Sequence, residues 1–302
     1  MTKTALVAFA DRVKMPEGIA TLLGGRGLAS MGNKSHGLHA FDGSWCGGII
    51  NGTQARVAMV FGQWQVPKIY PPIGAQPGDY ALSTWIGIDG IMTAVEGEQL
   101  VPLVPLFQAG VNSFFTIDDS GRPIEQTNWA FFEWYSQDKQ PAQRLFDVAT
   151  GETVAAAVSV HYEEGAKLGS YWIAPTSDFD QAAHGNVAAA TDPALRGWTA
   201  EWIAEYPGRT SGVYQQPGFE PVVFRNCTAW LRDEVQQTAT AVNFGSNWAW
   251  DFPPVECDMQ TQAGAIPNLL IGCTGTITDD STVTCTYNPT APLPLPIPFP
   301  LP

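Results

Sequence analysis

The stretch GGIINGTQARVAMVFGQWQV, residues 47–66, consists of short apolar runs separated by glycine, asparagine and glutamine. Short runs rich in valine, isoleucine and aromatic residues, bounded by turn-forming residues, predict β-strands. The pattern predicts an all-β chain folded as an antiparallel β-sandwich, because strands of this kind recur with turn residues between them. The recurring runs are ALSTWIGIDG at 81–90, NWAFFEWYS at 128–136, TVAAAVSVHY at 153–162, GSYWIAP at 169–175, GWTAEWIAEY at 197–206 and STVTCTYN at 281–288.

The two ends of the chain differ in composition from this central region. Residues 1–40 are glycine-rich and lack strand-like alternation, so we expect a leader or prosegment, with a disordered extension as the alternative. Residues 289–302 alternate proline with apolar residues, which predicts an extended polyproline II tail. The predicted β-sandwich domain is residues 41–288. Within it, LRDEVQQTATAV at 231–242 fits a short helix or a strand with one polar face.

The net charge makes two classes of binding partner unfavourable. The 302 residues include 15 Lys and Arg against 29 Asp and Glu, which gives a formal net charge of −14 and a pI near 4.5. Such a chain repels nucleic acid and anionic membranes, so we expect neither as a partner. With few basic residues, self-repulsion in acid is mild, which fits either adaptation to low pH or an ordinary acidic protein.

Cysteine usage favours an oxidising compartment. Cys273 and Cys285 flank TGTITDDSTVT at 274–284, a predicted hairpin, and we expect a disulfide between them. The five cysteines are an odd number, so at least one thiol remains outside intramolecular pairs. We expect a secreted protein, although Asp11 ends the first apolar run too early for a signal peptide core. A removed signal and another export route both remain open.

One predicted strand separates polar from apolar side chains. In TAEWIAE at 199–205, alternation places Glu201 and Glu205 on one face and Trp202 on the other. A solvated outer face is the ordinary explanation of such a pattern. Gln108, within the apolar run LFQAGV, must find hydrogen-bond partners if buried, and Asp89 precedes a glycine as a turn residue does.

Five segments of the chain, taken in order, resemble the eqolisin family of glutamic peptidases. They are SWCGG at 44–48, WIGIDG at 85–90, FQAGV at 107–111, FFEWY at 131–135 and TAEWIAE at 199–205, and the resemblance extends from about Trp45 to about Tyr287. The resemblance implies two packed, curved sheets of the concanavalin type, with a substrate groove on the concave face. It also implies an endopeptidase that needs no cofactor and acts on proteins or peptides, and we expect a monomer.

The resemblance also assigns site residues. It places the catalytic pair at Gln108 and Glu201, and it implies substrate-binding or supporting roles for Trp45, Trp85, Asp89 and Glu133 and, more loosely, for Tyr135 and Glu205. This chain has longer segments than the family between Asp89 and Gln108 and between Gln108 and Glu133. A supporting acid that some relatives carry before FFEWY corresponds here to Trp129 or Asn128.

The pair suits peptide hydrolysis without a metal, serine or cysteine nucleophile. Glu201 can take a proton from water and later give it to the leaving amine, while the neutral amide of Gln108 can donate to the oxyanion at any pH. An acid optimum follows, because a single carboxylate near its ordinary pKa governs the reaction. We expect Trp45, Trp85 and Trp134 to form apolar walls for bulky substrate side chains.

Other classes of protein make different predictions. Asp119-Ser120-Gly121 matches the triplet of pepsin-like proteases, but it occurs once, in a hydrophilic turn. A glycoside hydrolase using Glu201 and Glu205 needs carboxylates about 5–9.5 Å apart, whereas four strand residues span ~13 Å. A non-catalytic sugar- or peptide-binding sandwich predicts no hydrolysis at all. The histidine spacing indicates no metal site, and serine catalysis lacks its G-x-S-x-G elbow.

Overall fold

The computed structural model describes residues 38–42, 44–51, 55–90, 94–96, 99–101, 105–135, 142–161, 168–188, 195–207, 214–233, 238–246, 254–261 and 270–289. This part of the chain is built from β-strands, with a short 3-10 helix at Phe179–Gln181. The strands are β1 (Leu38–Asp42), β2 (Trp45–Asn51), β3 (Arg56–Gln65), β4 (Ile69–Tyr70), β5 (Gly78–Asp89), β6 (Ala94–Glu96), β7 (Gln99–Val101), β8 (Leu106–Ile117), β9 (Thr127–Tyr135), β10 (Gln143–Asp147), β11 (Thr153–His161), β12 (Leu168–Pro175), β13 (Ala183–Ala188), β14 (Thr199–Glu205), β15 (Gly218–Phe219), β16 (Val222–Asp233), β17 (Thr238–Val242), β18 (Val255–Thr261), β19 (Leu270–Asp279) and β20 (Thr282–Tyr287).

Hydrogen bonds join most of these strands into one continuous path that forms two layers. The order is β10-β9-β8-β5-β14-β2-β18-β19-β20-β16-β3-β11-β12-β13. Strand β16 belongs to both layers, because Val222–Phe224 pair with β20 and residues from Arg225 to Arg232 pair with β3. We call the part from β10 to β20 the first sheet and the part from β16 to β13, with β17, the second sheet. The prediction of an all-β antiparallel sandwich is confirmed.

The core lies between the two sheets, where aromatic side chains cross from one layer to the other. Trp202 of β14 is fully buried, and its Nε1 donates to the carbonyl oxygen of Phe61 in β3 at 2.9 Å. Trp64 of β3 donates in the opposite direction to Thr84 Oγ1 of β5, also at 2.9 Å. Gly62 leaves room for the Trp202 indole, because an added Cβ would come within 2.9 Å of that ring. Burial of these rings, with each indole N–H paired, fixes how the sheets stack.

The disulfide differs from the sequence prediction. Cys273 is bonded to Cys46 of β2, with 6.0 Å between the two Cα atoms, and Cys285 is a buried free cysteine. The hairpin of β19 and β20 does form, but its register places Cys273 opposite Tyr287 and Cys285 opposite Gly275. The predicted Cys273–Cys285 bond is therefore wrong: the two residues are not cross-strand partners, and the sheet brings Cys46 to Cys273.

Other sequence predictions concern the two ends of the chain and the segment 231–242, which fitted either a helix or a strand. The segment 231–242 contains the end of β16 and all of β17, so its described part is strand and not helix. Strand β1 begins at Leu38, before the predicted boundary at residue 40, and pairs in parallel with β18. Residues 1–37 and 290–302 lie outside the described residues, as do the leader and tail structures predicted for them. Among the described residues, no helix is long and apolar enough to cross a membrane.

Candidate active site

The predicted catalytic residues lie in one row that crosses the first sheet. Gln108 of β8 is directly opposite Glu133 of β9 on one side and Gly87 of β5 on the other. Gly87 is in turn opposite Glu201 of β14, which is opposite Ile49 of β2. Side chains that are directly opposite each other in a sheet point to the same face. The amide of Gln108 and the carboxylate of Glu201 therefore project on one face, with only a glycine between them.

This face is the one turned away from the second sheet, and we call it the site face. Trp202, next to Glu201 in β14, points into the core, so alternation directs Glu201 to the opposite side. The site face carries its own apolar cluster, separate from the core between the sheets. Its buried members are Ile49, Trp85, Leu106, Phe131, Ile203 and Cys257, with Trp45, Trp129, Ala142 and Val255 packed against them.

Glu201 is a fully buried carboxylate whose polar atoms lack partners. Its exposed fraction is 0%, and neither carboxylate oxygen accepts a hydrogen bond from a described residue. Burial raises the pKa of Glu201 well above its ordinary value, and the nearby charge of Asp89 adds to the rise. The hydroxyl of Thr199 partly offsets this rise in pKa, although it does not meet the distance and angle of a full hydrogen bond. The site therefore favours the neutral form of this acid.

Gln108 is held by a second acid. Its Nε2 donates to Glu133 Oε2 at 2.6 Å, while its Oε1 is buried and accepts no hydrogen bond within the described part of the chain. Burial raises the pKa of Glu133, and the hydrogen bond from Gln108 opposes that rise. Because a glutamine amide has two N–H donors, one remains for another acceptor. Glu133 thus fixes which end of the amide faces it.

Asp89 anchors the segment that leads into β14. This residue ends β5 with a left-handed backbone (φ 64°), which aspartate tolerates better than most residues. Its buried carboxylate accepts hydrogen bonds from the backbone N–H groups of Arg196 (2.6 Å), Gly197 (2.9 Å) and Trp198 (2.6 Å). Burial raises the pKa of Asp89 and these hydrogen bonds oppose the rise. Asp89 is therefore more than a turn residue, since it positions the start of the strand that carries Glu201.

Trp85, Glu205 and Trp45 form a connected group beside the catalytic row. Trp85 Nε1 donates to Glu205 Oε2 at 2.8 Å, and the Trp45 ring meets the Trp85 ring edge-on with 4.9 Å between centroids. Glu205 is opposite Trp45 in the register of β14 and β2. The backbone of Tyr135 is opposite that of Leu106 at the end of β9, and its side chain lies outside the described residues. The structure thus gathers the predicted supporting residues on the site face, as far as they are described.

One predicted aromatic wall is wrong. Trp134 is opposite Phe107, and their rings pack in the core with 4.9 Å between centroids, so Trp134 does not line the site face. Trp129, on the same face of β9 as Glu133, packs against Phe131 with 6.1 Å between ring centroids. Counting alternate positions from Glu133 along NWAFFEWYS was the signal that could have identified Trp129 and excluded Trp134.

Asn128 does not replace the supporting acid of the relatives. It points to the face opposite Glu133, where its Nδ2 donates to the Val148 carbonyl and to Thr150 Oγ1, each at 3.1 Å. A polar pair that the sequence analysis missed lies on the site face instead, where Ser83 Oγ donates to Asn112 Oδ1. Neither residue stands out in sequence, because a serine and an asparagine within strands carry no motif.

The competing sites do not form. Asp118 accepts hydrogen bonds from the N–H groups of Ser120 and Arg122, which makes residues 118–122 an ordinary exposed turn and not a pepsin-like centre. Strand β14 keeps a continuous register from Glu201 to Glu205, so no bulge shortens their ~13 Å separation to that of a glycosidase. Among the described residues, no group of three or more histidine, cysteine, aspartate or glutamate side chains could hold a metal.

Comparison with known proteins identifies a family and a similar fold. The profile of the Peptidase A4 family matches residues 43–287. Among solved structures, the chain is similar to a crystal structure of Scytalido-glutamic peptidase with a peptide-based transition state analogue. That similarity has a TM-score of 0.51 and 15% sequence identity, and covers 82% of this chain and 99% of the other, which supports the fold. The comparison with curated proteins gave no match.

Proposed function

The chain belongs to the Peptidase A4 family and is a glutamic endopeptidase, and we propose that Glu201 and Gln108 together hydrolyse peptide bonds in acid. The observation that carries the proposal is their common row on the site face, separated by Gly87 alone. Because the chain belongs to a family of peptidases, a non-catalytic binding function is not favoured.

The unpartnered atoms of the pair match the needs of an attacking water. Both oxygens of Glu201 and Oε1 of Gln108 are buried acceptors without a donor among the described residues. A buried acceptor left unpaired costs about 1–3 kcal/mol, so such atoms are retained where a ligand supplies the donors. We infer that the nucleophilic water donates one hydrogen bond to Glu201 and one to Gln108 Oε1. This places the water oxygen toward a peptide carbonyl lying across the row.

The same residues can complete the reaction. Ionised Glu201 takes a proton from the water as its oxygen attacks the carbonyl carbon, and the carbonyl oxygen becomes negative. The Gln108 N–H that is not bonded to Glu133 donates to this oxyanion. Glu201, now protonated, passes the proton to the departing amine nitrogen as the C–N bond breaks. The products are a carboxylic acid and an amine, and Glu201 returns to its starting form.

The electrostatics of the row limit activity at both low and high pH. Glu201 must be ionised to act as base, so activity falls as pH drops through its folded-state pKa, which burial has raised. Glu133 and Asp89 also have raised pKa values, so rising pH ionises further buried acids beside Glu201. Their charges disfavour a second negative charge nearby and destabilise the site. Activity is therefore bounded on both sides, and its acid limb lies above the ordinary carboxyl pKa that the sequence analysis used, because burial raises the pKa of Glu201.

The surroundings of the pair favour extended peptides with apolar side chains. Trp45 and Trp129 are half-buried on the site face at the β2 and β9 sides of the row, and they offer flat apolar surfaces. An acidic, disulfide-containing peptidase suits an oxidising and acidic exterior, so we propose a secreted monomer that degrades proteins outside the cell.

Digestion of an unfolded protein across pH 2–7 tests the proposal. Wild type is compared with Glu201→Gln and with Glu220→Gln, a control at an exposed glutamate away from the row. We expect cleavage in acid by wild type and control, and none by Glu201→Gln at equal folded concentration. Undiminished cleavage by Glu201→Gln would falsify the assignment. Chelators and serine or cysteine reagents serve as further controls and should leave the rate unchanged.

A further inference from the structure

A buried hydroxyl group lies next to Glu201 on the site face. Thr199 is the first residue of β14, and residues two apart in a strand point to the same face, so Thr199 shares the face of Glu201. Thr199 is 4% exposed, and its Oγ1 makes no full hydrogen bond with any described residue. A buried hydroxyl without a partner lowers stability, so its presence beside an acid needs a reason.

The hydrogen-bonding groups of Thr199 and Glu201 are complementary. Among the described residues, the buried polar atoms without partners on the site face are Oγ1 of Thr199, Oε1 of Gln108 and both oxygens of Glu201. The hydroxyl is a donor, whereas the amide oxygen and an ionised carboxylate only accept. Residues two apart in a strand are ~7 Å apart. A glutamate side chain covers most of that distance, so the carboxylate of Glu201 can approach the Thr199 hydroxyl along the strand.

We propose that Thr199 is a positioning residue of the active site, whose hydroxyl donates to one oxygen of ionised Glu201 and leaves the other oxygen for the attacking water. The inference rests on the proposed function of Glu201. A hydrogen bond to a charged acceptor is stronger than one to a neutral acceptor, so the contact tightens when Glu201 ionises. The hydroxyl therefore orients the carboxylate in the form that acts as base, and it favours that form over the neutral acid.

The surroundings of Glu201 otherwise oppose its ionisation. The titratable side chains that face it from its own and the neighbouring strands are all acidic groups or thiols: Asp89 at the end of β5, Glu133 on β9, Glu205 on β14 and Cys257 on β18. The charge of Asp89 raises the pKa of Glu201, whereas the Thr199 hydroxyl lowers it. Arg196, the basic residue that precedes β14, has its guanidinium over the Trp198 ring, 4.8 Å from the centroid. Thr199 thus acts against the other groups around the base.

Thr199→Val tests the proposal, because it removes the hydroxyl and keeps the branched shape of the side chain. It also keeps the backbone N–H of Thr199, which lowers the pKa of Asp89. Peptide hydrolysis across pH 2–8 gives kcat/KM per folded molecule. We expect the acid limb of Thr199→Val to move to higher pH, with kcat/KM on that limb about 10-fold below wild type, as loss of a hydrogen bond to a charged group predicts. At higher pH, where Glu201 is ionised in both proteins, kcat/KM should change much less.

Two further variants serve as controls. Thr199→Ser keeps the hydroxyl and should return the acid limb to its wild-type position. Thr228→Val makes the same change at a 1% exposed threonine in β16 of the second sheet, where the Thr228 hydroxyl donates to the Asn226 carbonyl at 3.1 Å. This control should leave the pH profile unchanged and lower the thermal midpoint. Thr199→Val should not lower the midpoint in acid, because the hydroxyl that it removes is unpaired while Glu201 is neutral.

Each other outcome counts against the inference. An acid limb of Thr199→Val that coincides with wild type, or that Thr199→Ser fails to restore, overturns it. Loss of kcat/KM by the same factor at every pH makes Thr199 structural only. Glu201→Gln, measured in parallel, separates this from failure of the proposed function. Inactive Glu201→Gln with an unshifted Thr199→Val profile overturns only the inference, whereas active Glu201→Gln overturns the proposed function beneath it.

Discussion

On the two faces of the central strands of the first sheet, buried polar groups differ in whether they have hydrogen-bond partners. On the core face, Trp202 Nε1 and Trp64 Nε1 each donate a 2.9 Å hydrogen bond across the sandwich. On the site face, one residue away from Trp202, both oxygens of Glu201 are buried without a donor from the described residues. One strand therefore carries a satisfied structural contact and an unsatisfied acid side by side. The core face stabilises the fold, whereas the site face holds buried acceptor atoms without hydrogen-bond donors, and we assign these atoms to catalysis.

The sharpest test of this contrast is Glu201→Gln. Removing the general base should lower kcat about 10³- to 10⁴-fold, since that is the contribution expected of acid–base catalysis at its upper end. The same change should raise the thermal midpoint near neutral pH, because a neutral amide replaces a buried carboxylate that resists ionisation. Peptide hydrolysis and thermal unfolding of the same sample check both. A variant that loses both activity and stability would contradict the division between the faces.

The matching change on the core face is Trp202→Ala. Its ring is fully buried and joins the two sheets, so truncation should lower the free energy of unfolding by about 3–5 kcal/mol. Denaturant titration in acid gives this value. The residual folded fraction should still cleave peptide with a kcat near that of wild type, because the catalytic row lies on the opposite face. Loss of kcat per folded molecule beyond tenfold would show that the two faces are strongly coupled.

Gln108→Ala should have a smaller effect than loss of the base. Removing one oxyanion donor costs about 10²- to 10³-fold in kcat. Stability should change little, because the variant removes an unpaired acceptor together with the bond to Glu133. Steady-state kinetics at the optimum pH tests this, with Gln143→Ala at an exposed position in β10 as the control. Equal kcat values for Gln108→Ala and Gln143→Ala would show that Gln108 takes no part in catalysis.

The smallest expected effect is a change in the free energy of unfolding with pH. Because Glu201, Glu133 and Asp89 have raised pKa values, the folded state binds more protons than the unfolded state above the ordinary carboxyl pKa of about 4. Stability is therefore complete below that pH and declines as pH rises toward the folded-state values, by about 1.4 kcal/mol per pH unit for each retained proton. Denaturant unfolding between pH 3 and 7 measures the slope, and Glu201→Gln should reduce it. A stability maximum at neutral pH would contradict the burial of these acids.

The sequence identified the segments that carry the site residues, but it did not show which distant residues those side chains contact. Alternation in TAEWIAE correctly separated Glu201 from Trp202, and the same alternation applied to β9 would have turned Trp134 toward the core. Asp89 shows the limit of such reasoning. In sequence it looks like a turn residue, and only the fold shows that it receives three backbone hydrogen bonds from residues 196–198. Contacts between segments more than a hundred residues apart leave no local pattern.

By itself, the sequence determined the fold class, the family and which residues of a strand share a face, because strand propensity and alternation are local properties of the backbone. The tertiary structure alone decided the strand register that aligns Glu201, Gly87 and Gln108, and the pairing of Cys46 with Cys273. Register and disulfide pairing depend on how distant strands pack as a whole. A shift of one residue in β5 or β8 would keep every local preference and separate the catalytic pair.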